Sequence, residues 1–489
     1  MSNQTQNSSF NLTTGLIDYN WVNEALSLEQ TGKMEAVRPS QIKRFMERWT
    51  ADPNFRKQVF AEPYKAIISY GIKVIPEQIR PLWDLNFTKE LNEELSVSAS
   101  LKCWQKFTDE NRTHRVTKSI AGNSIEPRFK AWRERQIART TRKFKKQLGD
   151  DILHANVCFE LSKGCSIGCS FCGISAPRLN DIFFYTQENA KLWREILELI
   201  KNILGHSASA GFCYWATDPF DNPDYEKFCS DFHEILGIFP PTTTAQPLKN
   251  PERTRSLLKL SSQKGCSVNR FSILSLKMLN QVHEEFTPDE LAFVSLALQN
   301  KEADTIKANA GRARERNFKK EEKDNDLPEQ GTIACVTGFL FNMVDQSVKL
   351  ISPCNADDRW PLGYITYDEG TFSNAEDLKI LLEKMIAKNM SLMVRPDDII
   401  SFPRDIKYES FSDGFHLSTK FKTYKFRNDP YFKELGEVIK NGDKTAEEIV
   451  ALFNVCGISP THTLNTLNLL LKKGVLDDEP KMEVIQLKI

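Results

Sequence analysis

The chain has 489 residues and 40% of them are apolar, a normal share for a globular core spread over roughly two to four domains. Lys+Arg and Asp+Glu both number 65, so the formal net charge is zero, which argues against a dedicated nucleic-acid binder. No apolar run approaches the roughly 18 residues of a membrane span, and residues 1–12 carry neither the basic start nor the apolar stretch of a signal peptide. The expected compartment is the cytoplasm, with no membrane partner, and there 11 cysteines point to metal or catalysis rather than disulfides.

Residues 1–35, rich in Ser, Asn, Thr and Gln, read as a flexible tail. A helical N-terminal region over 36–150 follows. In it Asp52-Pro53 and Glu62-Pro63 each set proline at a first helical position, and Gly71 supplies a stop. Residues 128–146 hold nine Lys/Arg against one acid, Glu134. Such a run reads as a solvated helix face or as a sticky face for an acidic peptide.

Over 151–405 strands alternate with helices. Residues 156–161 form a strand entering a cysteine loop, 186–204 an amphipathic helix stopped by Gly205, and 211–215 a second strand. Residues 242–246 and 270–274 are further strands. Residues 301–330, crowded with charge, read as a mobile insertion, after which 333–343 and 348–352 resume the strand pattern. The alternation predicts an α/β class with a parallel sheet or barrel. The last region, 406–489, contains Asp429-Pro430, capping-box spacing from Thr445 to Glu448, Ser459-Pro460 and a strand-like Val475-Leu476. Three helices and a short strand predict a winged-helix-like module. No internal repeat is visible.

The decisive stretch is Gly164-Cys165-Ser166-Ile167-Gly168-Cys169-Ser170-Phe171-Cys172-Gly173. A tight loop with this spacing can aim three thiolates at three corners of one [4Fe–4S] cubane. A zinc site needs a fourth ligand, and no close cysteine or histidine pair offers one. The fourth iron is then left for S-adenosylmethionine (SAM), whose amino and carboxylate groups can chelate it. One electron into the sulfonium breaks a C–S bond and gives a 5′-deoxyadenosyl radical that takes hydrogen from unactivated C–H bonds. The cofactors own that chemistry, and the protein supplies position and dryness.

This triplet, with aromatic Phe171 just before the third cysteine, resembles the radical SAM enzymes. The resemblance covers roughly 151–404. It implies a partial (β/α)6 barrel, flanked by the N-terminal helical region and the C-terminal module, with the cluster at the barrel's C-terminal mouth. In that family a motif after the second strand holds the SAM amino group, often as Gly-Gly-Glu-Pro. Here Tyr214-Trp215-Ala216-Thr217-Asp218-Pro219-Phe220 occupies that place and departs from it. Asp218 is the candidate acceptor for the ammonium, and a turn-forming Asp-Pro is the other reading. Arg270 could pair with the SAM carboxylate and Ser272 could bond it or the ribose; either could equally be structural.

No second cysteine cluster and no N-terminal Rossmann-like half are present, which leaves one cluster plus isolated thiols. The chain resembles the radical SAM peptide epimerases that mature proteusin-type ribosomal peptides. The resemblance rests on YWATDPFDNPDY (214–225), GTIACVTGFLFNM (331–343) and ISPCNADDRWPLGY (351–364), with 44–49 and 79–83 ahead of the barrel. It implies abstraction of a Cα hydrogen from an L-residue of a precursor peptide and return of a hydrogen from the opposite face. It also implies a one-electron donor such as flavodoxin or ferredoxin. A thiol has one of the weaker bonds to hydrogen, so the expected catalytic donor is Cys354, placed by Ser352-Pro353-Cys354-Asn355 just after a strand, where a turn can aim it into the mouth. Cys335, inside an apolar strand, is the runner-up. Residues 55–72 resemble the nitrile-hydratase-like leader of proteusin precursors, against a plain three-helix packing unit. The C-terminal module resembles elements that hold leader peptides, against a docked lid. Glu447, Glu448, Asp477, Asp478 and Glu479 make it too acidic for DNA. Competing readings are another single-cluster radical SAM peptide enzyme, acting by dehydrogenation or crosslinking, and a non-catalytic metal-binding regulator.

Overall fold

The computed structural model describes residues 37–84, 86–87, 98–120, 124–144, 152–266, 269–321 and 331–481. The expected 1–35 tail lies outside the described residues. The strands in chain order are β1 (Ala155–Glu160), β2 (Ser162–Lys163), β3 (Asp181–Ile182), β4 (Thr243–Thr244), β5 (Asn269–Ile273), β6 (Val294–Leu298), β7 (Val336–Asn342), β8 (Ser347–Pro353), β9 (Tyr364–Thr371), β10 (Lys407–Phe411), β11 (Gly414–Ser418) and β12 (Thr423–Phe426). The chain divides into two compact units. One holds residues up to Ile120, Phe212–Tyr214 and Asp218–Lys307. The other holds Ala121–Gly211, Trp215–Thr217 and Ala308 onward.

In the first unit each of the helices Pro39–Ala51, Pro53–Ala61 and Pro63–Ser69 begins with proline, whose fixed φ and missing N–H suit a first helical position. The Asp52 carboxylate caps the second by accepting from Asn54 N (2.9 Å) and Phe55 N (3.3 Å). Gly71, at φ +63°, ends the third, and Ile72 N closes back on Ile67 O at 2.9 Å. Phe45, Phe55, Val59, Ile67 and Ile79 form their core. The strands β4, β5 and β6 make a parallel three-stranded sheet. Phe271, Ile273, Val294 and Leu298 pack from it against Leu279 and Val282 of the helix Leu276–Glu285.

In the second unit the sheet order is β1-β7-β8-β9. Every residue of β1 is buried. Phe159 packs between Phe341 and Trp193, both at 4.8 Å between ring centroids, and Trp193 comes from the helix Gln187–Leu204. The pair β1–β7 is parallel, whereas β7–β8 and β8–β9 are antiparallel. The parallel continuation expected for 348–352 is therefore corrected. Only residues 343–346 join β7 to β8, and a parallel crossover needs about a dozen residues or more. Residues 211–215 form no extended strand and pair only through a β-bridge at Phe212; a Cβ on Gly211 would lie 2.5 Å from the Val157 side chain, so the backbone there passes close against β1. Within the charged 301–330 stretch Gly311–Glu321 is a helix, and 322–330 lie outside the described residues. The fold is mixed α/β. Among the described residues the sheets have four, three, three and two strands and none closes into a barrel.

The C-terminal region carries the three expected helices, Pro430–Asn441, Ala446–Val455 and Pro460–Lys472. The Thr445–Glu448 capping box closes in both directions. The antiparallel sheet β10-β11-β12 precedes them and shares their core. That core reaches back to Val394 and Ile400, ahead of residue 406. Val475 and Leu476 form no strand; both are buried in the same core.

Most of the basic run is buried where it is described, with Arg128 and Lys130 exposed, so a fully solvated helix face is corrected. On the helix Pro127–Lys143 the residues Arg133, Arg135, Arg139 and Arg142 are buried. Arg133 donates to His154 O at 2.6 Å, and Arg139 to Ser352 Oγ and Asp478 Oδ1, both at 3.2 Å. Arg142 donates to Gly474 O. Arg139 and Arg142 are paired with the acids Asp478 and Asp405, and Arg133 is held by a carbonyl. No helix among the described residues is long and apolar enough to cross a membrane.

Candidate metal centre

The strand β1 delivers the chain to the cysteine loop, and the antiparallel β2–β3 pair closes the loop at its base. Inside it, Cys165 N donates to Pro177 O (2.9 Å) and Leu179 N to Cys165 O (3.2 Å). Gly164 and Gly168 adopt φ of +86° and +62°. At Gly168 a Cβ would stand 2.5 Å from Arg178 Nη1. Only glycine takes that conformation without strain and lets the guanidinium lie against the loop. Cys172 N donates to Cys169 O at 3.3 Å, Ala176 N points at Cys172 Sγ at 3.4 Å, and Cys172 O accepts from Arg312 N at 3.0 Å.

Cys165, Cys169 and Cys172 are partly exposed, and no disulfide joins any of them. Among the described residues no three of His, Cys, Asp and Glu converge as ligands of a single ion would. Cys165, Cys169 and Cys172 share one glycine-hinged loop and are the residues that would hold an iron–sulfur cluster. Phe171 is half-buried in the same loop.

Cys354 follows β8. Because β8 is antiparallel to β7, its end lies at the edge where β1 and β7 begin, and this corrects its expected place at the C-terminal ends of parallel strands. Backbone contacts nevertheless connect this turn with the cysteine loop. Cys354 N donates to Gly363 O (2.9 Å), Ala356 N to Gly331 O (2.7 Å) and Gly311 N to Pro361 O (2.8 Å), next to the Arg312–Cys172 bond. A Cβ on Gly173 would meet Ile333 at 2.9 Å. Thr140 Oγ1 of the basic helix donates to Pro353 O at 3.2 Å. Burial pushes the Cys354 thiol up to about 12, against the opposing pull of Lys143 and Arg139. Cys335 sits one residue ahead of β7, half-buried, and its carbonyl accepts from Ala155 N at 2.8 Å. The expectation that it lies within the strand is corrected.

Asp218, in the first unit, is buried. Oδ1 accepts from Phe220 N (3.0 Å) and Thr244 Oγ1 (2.8 Å), and Oδ2 from Ala245 N (2.7 Å). These bonds tie its loop to β4, as the turn-forming reading expects. Arg270 and Ser272 are half-buried on one face of β5, opposite the core residues Phe271 and Ile273. Thr243 of β4 pairs with Arg270.

Sequence reasoning passed over Glu160, the last residue of β1. It is buried, and its Oε1 accepts from Ala216 N at 2.8 Å and its Oε2 from Asn342 Nδ2 at 3.1 Å. Burial lifts its carboxyl to about 7, against those two hydrogen bonds. The available signal was an acid ending a continuous apolar strand.

No family model matches the chain, and no solved structure matches it. It is 38% identical over 453 residues, 90% of its own length and 87% of the relative's, to the uncharacterized protein y4wI of Sinorhizobium fredii (strain NBRC 101917 / NGR234). Identity at that level along nearly the whole of both chains makes this chain a member of the family of that protein.

Proposed function

We propose that the chain is a radical SAM peptide epimerase, which converts L-residues of a ribosomally made precursor peptide to D-residues. The observation that carries the reading is the glycine-hinged loop presenting Cys165, Cys169 and Cys172. In this reading those thiolates hold a [4Fe–4S] cluster, and its fourth iron is open to SAM. When bound, the two groups supply hydrogen-atom abstraction from an unactivated C–H bond. The chain's own part is to hold them, exclude water and return a hydrogen from the other face. Cys354 suits the return because burial keeps it a thiol. Phe171 borders the cluster loop, and Arg270 and Ser272 are the candidates for the SAM carboxylate and ribose. A partial (β/α)6 barrel is the finer fold this reading expects. A flavodoxin- or ferredoxin-type donor supplies the electron, and the C-terminal module captures the leader.

The test is anaerobic reconstitution followed by reaction with precursor peptide, SAM and reductant in deuterated water. The expected product carries one deuterium at each inverted Cα, because a thiol proton exchanges with solvent. Cys354→Ala should cleave SAM yet lose inversion and deuterium uptake. Product lighter by two hydrogens would move the reading to dehydrogenation or crosslinking. A purified protein that holds zinc and no iron would overturn it in favour of a metal-binding regulator.

A further inference from the structure

A buried carboxylate sits where charges and donors answer it, and it fixes those partners in return. The Glu479 side chain is 4% exposed. Its Oε2 accepts from Trp360 Nε1 at 3.3 Å, and lies 3.5 Å from Arg359 Nη1 and 3.7 Å from Arg404 Nη2. Arg359 also donates to Pro480 O, and its guanidinium lies over the Trp360 ring, 5.3 Å from the centroid. The C-terminal core is already closed by buried Val475 and Leu476. The acids that follow them turn to a different target.

That target is the turn after Cys354. Asp357 shapes it: Oδ1 accepts from Arg359 N (2.9 Å) and Trp360 N (2.7 Å), and Oδ2 from Arg404 Nη2 (2.7 Å). Trp360 O then accepts from Gly363 N (3.0 Å), and Gly363 O from Cys354 N (2.9 Å). Hydrogen bonds thus run from Glu479 through Trp360 and Gly363 to Cys354. Asp478 grips the other flank, through Arg139, which donates to Ser352 Oγ two residues before the thiol. Two adjacent acids therefore hold the chain on both sides of Cys354. Hydrogen return breaks the Cys354 S–H bond as the Cα–H bond forms, and it tolerates little displacement of the sulfur.

We propose that Glu479 is a positioning residue for the hydrogen return: it clamps the 354–363 turn and so keeps the Cys354 thiol in place. The inference rests on Cys354 as the donor. Pulse alkylation of the full-length protein reads the clamp directly. In Glu479→Ala, Cys354 should label about tenfold faster against exposed Cys456, with buried Cys158 of β1 unchanged. Equal acceleration at Cys354 and Cys158 would mean general loosening and would overturn the clamp. Should Glu479→Ala fail to fold, Trp360→Phe carries the test: it keeps a ring, loses the Nε1 donor, and should speed Cys354 about threefold. No acceleration would overturn the inference. In the reconstituted enzyme with precursor peptide, Glu479→Ala should cleave SAM at the wild-type rate yet form about five times more 5′-deoxyadenosine per D-residue. An unchanged ratio beside an inverting wild type would overturn the positioning role alone. Inversion by Cys354→Ala would overturn the donor reading, and the role of Glu479 with it.

Discussion

The state of the Cys354 thiol can be measured without substrate, cluster or SAM. The side chain is 1% exposed, and burial pushes its pKa to about 12. At pH 7.5 a thiol with that pKa is ionised in roughly 3 molecules per 100,000, whereas an ordinary cysteine near 8.5 is ionised in roughly 1 in 10. Only the thiolate attacks an alkylating reagent, so ionisation alone should slow Cys354 by about 3,000-fold, and restricted access slows it further. Pulse alkylation at pH 7.5 with quantitative peptide mass spectrometry reads this directly, with exposed Cys456 as internal reference. Labelling of Cys354 within tenfold of Cys456 would refute the reasoning. It would mean that Lys143 and Arg139, which oppose burial, win and that the group is a thiolate, which has no hydrogen atom to give.

Asp478→Ala strips the charge partner from buried Arg139 and the 2.6 Å bond from Gln136 Nε2; a cost of about 3–5 kcal/mol is expected, read as a lowered urea midpoint. Gly168→Ala forces a Cβ against Arg178 at φ +62° and should reduce iron and sulfide incorporation at unchanged helix content by circular dichroism. The Glu160 carboxyl binds a proton more tightly folded than unfolded, so its contribution to stability is lost as pH rises from about 4.5 to about 7. Glu160→Gln should remove up to roughly 3 kcal/mol of that pH dependence, measured as the difference between the wild-type and variant unfolding curves. Val455 is 88% exposed on the helix Ala446–Val455; if the C-terminal module takes the leader through that helix, Val455→Asp lowers precursor affinity by fluorescence anisotropy while the urea midpoint stays put.

Features fixed by a few neighbouring residues were legible in the sequence. The Thr445–Glu448 box and the Gly71 stop each depend on one or two hydrogen bonds made within five residues, and proline at a first turn depends on its own ring. The cysteine triplet is legible for the same reason, since its spacing is its chemistry. Strand direction was not read from apolar pattern, because the pattern of a buried strand is the same in either direction. The clue was the four-residue connection before β8, which excludes a crossover. The basic helix was misread because composition cannot reveal that Arg139 and Arg142 find partners at Asp478 and Gly474, more than 330 positions away. Glu160 was missed because one acid at a strand end has meaning only once Ala216 and Asn342 surround it.

The basic helix also changes how peptide capture must be tested. From sequence alone, deleting residues 429–479 is the direct way to separate recognition from catalysis. In the folded unit that deletion removes Gly474 O from Arg142 and Asp478 from Arg139 and Gln136. Arg142 would keep Asp405 and Arg139 would keep Ser352 Oγ, but each would lose one acceptor and Arg139 its acidic partner. The same helix touches Ser352 and Pro353, the residues just before Cys354, through Arg139 and Thr140. Loss of the tail would therefore propagate to the proposed hydrogen donor. A truncated protein that neither binds peptide nor inverts it would say nothing about which surface holds the leader. Substitutions on exposed positions, which leave the arginine acceptors in place, separate the two roles.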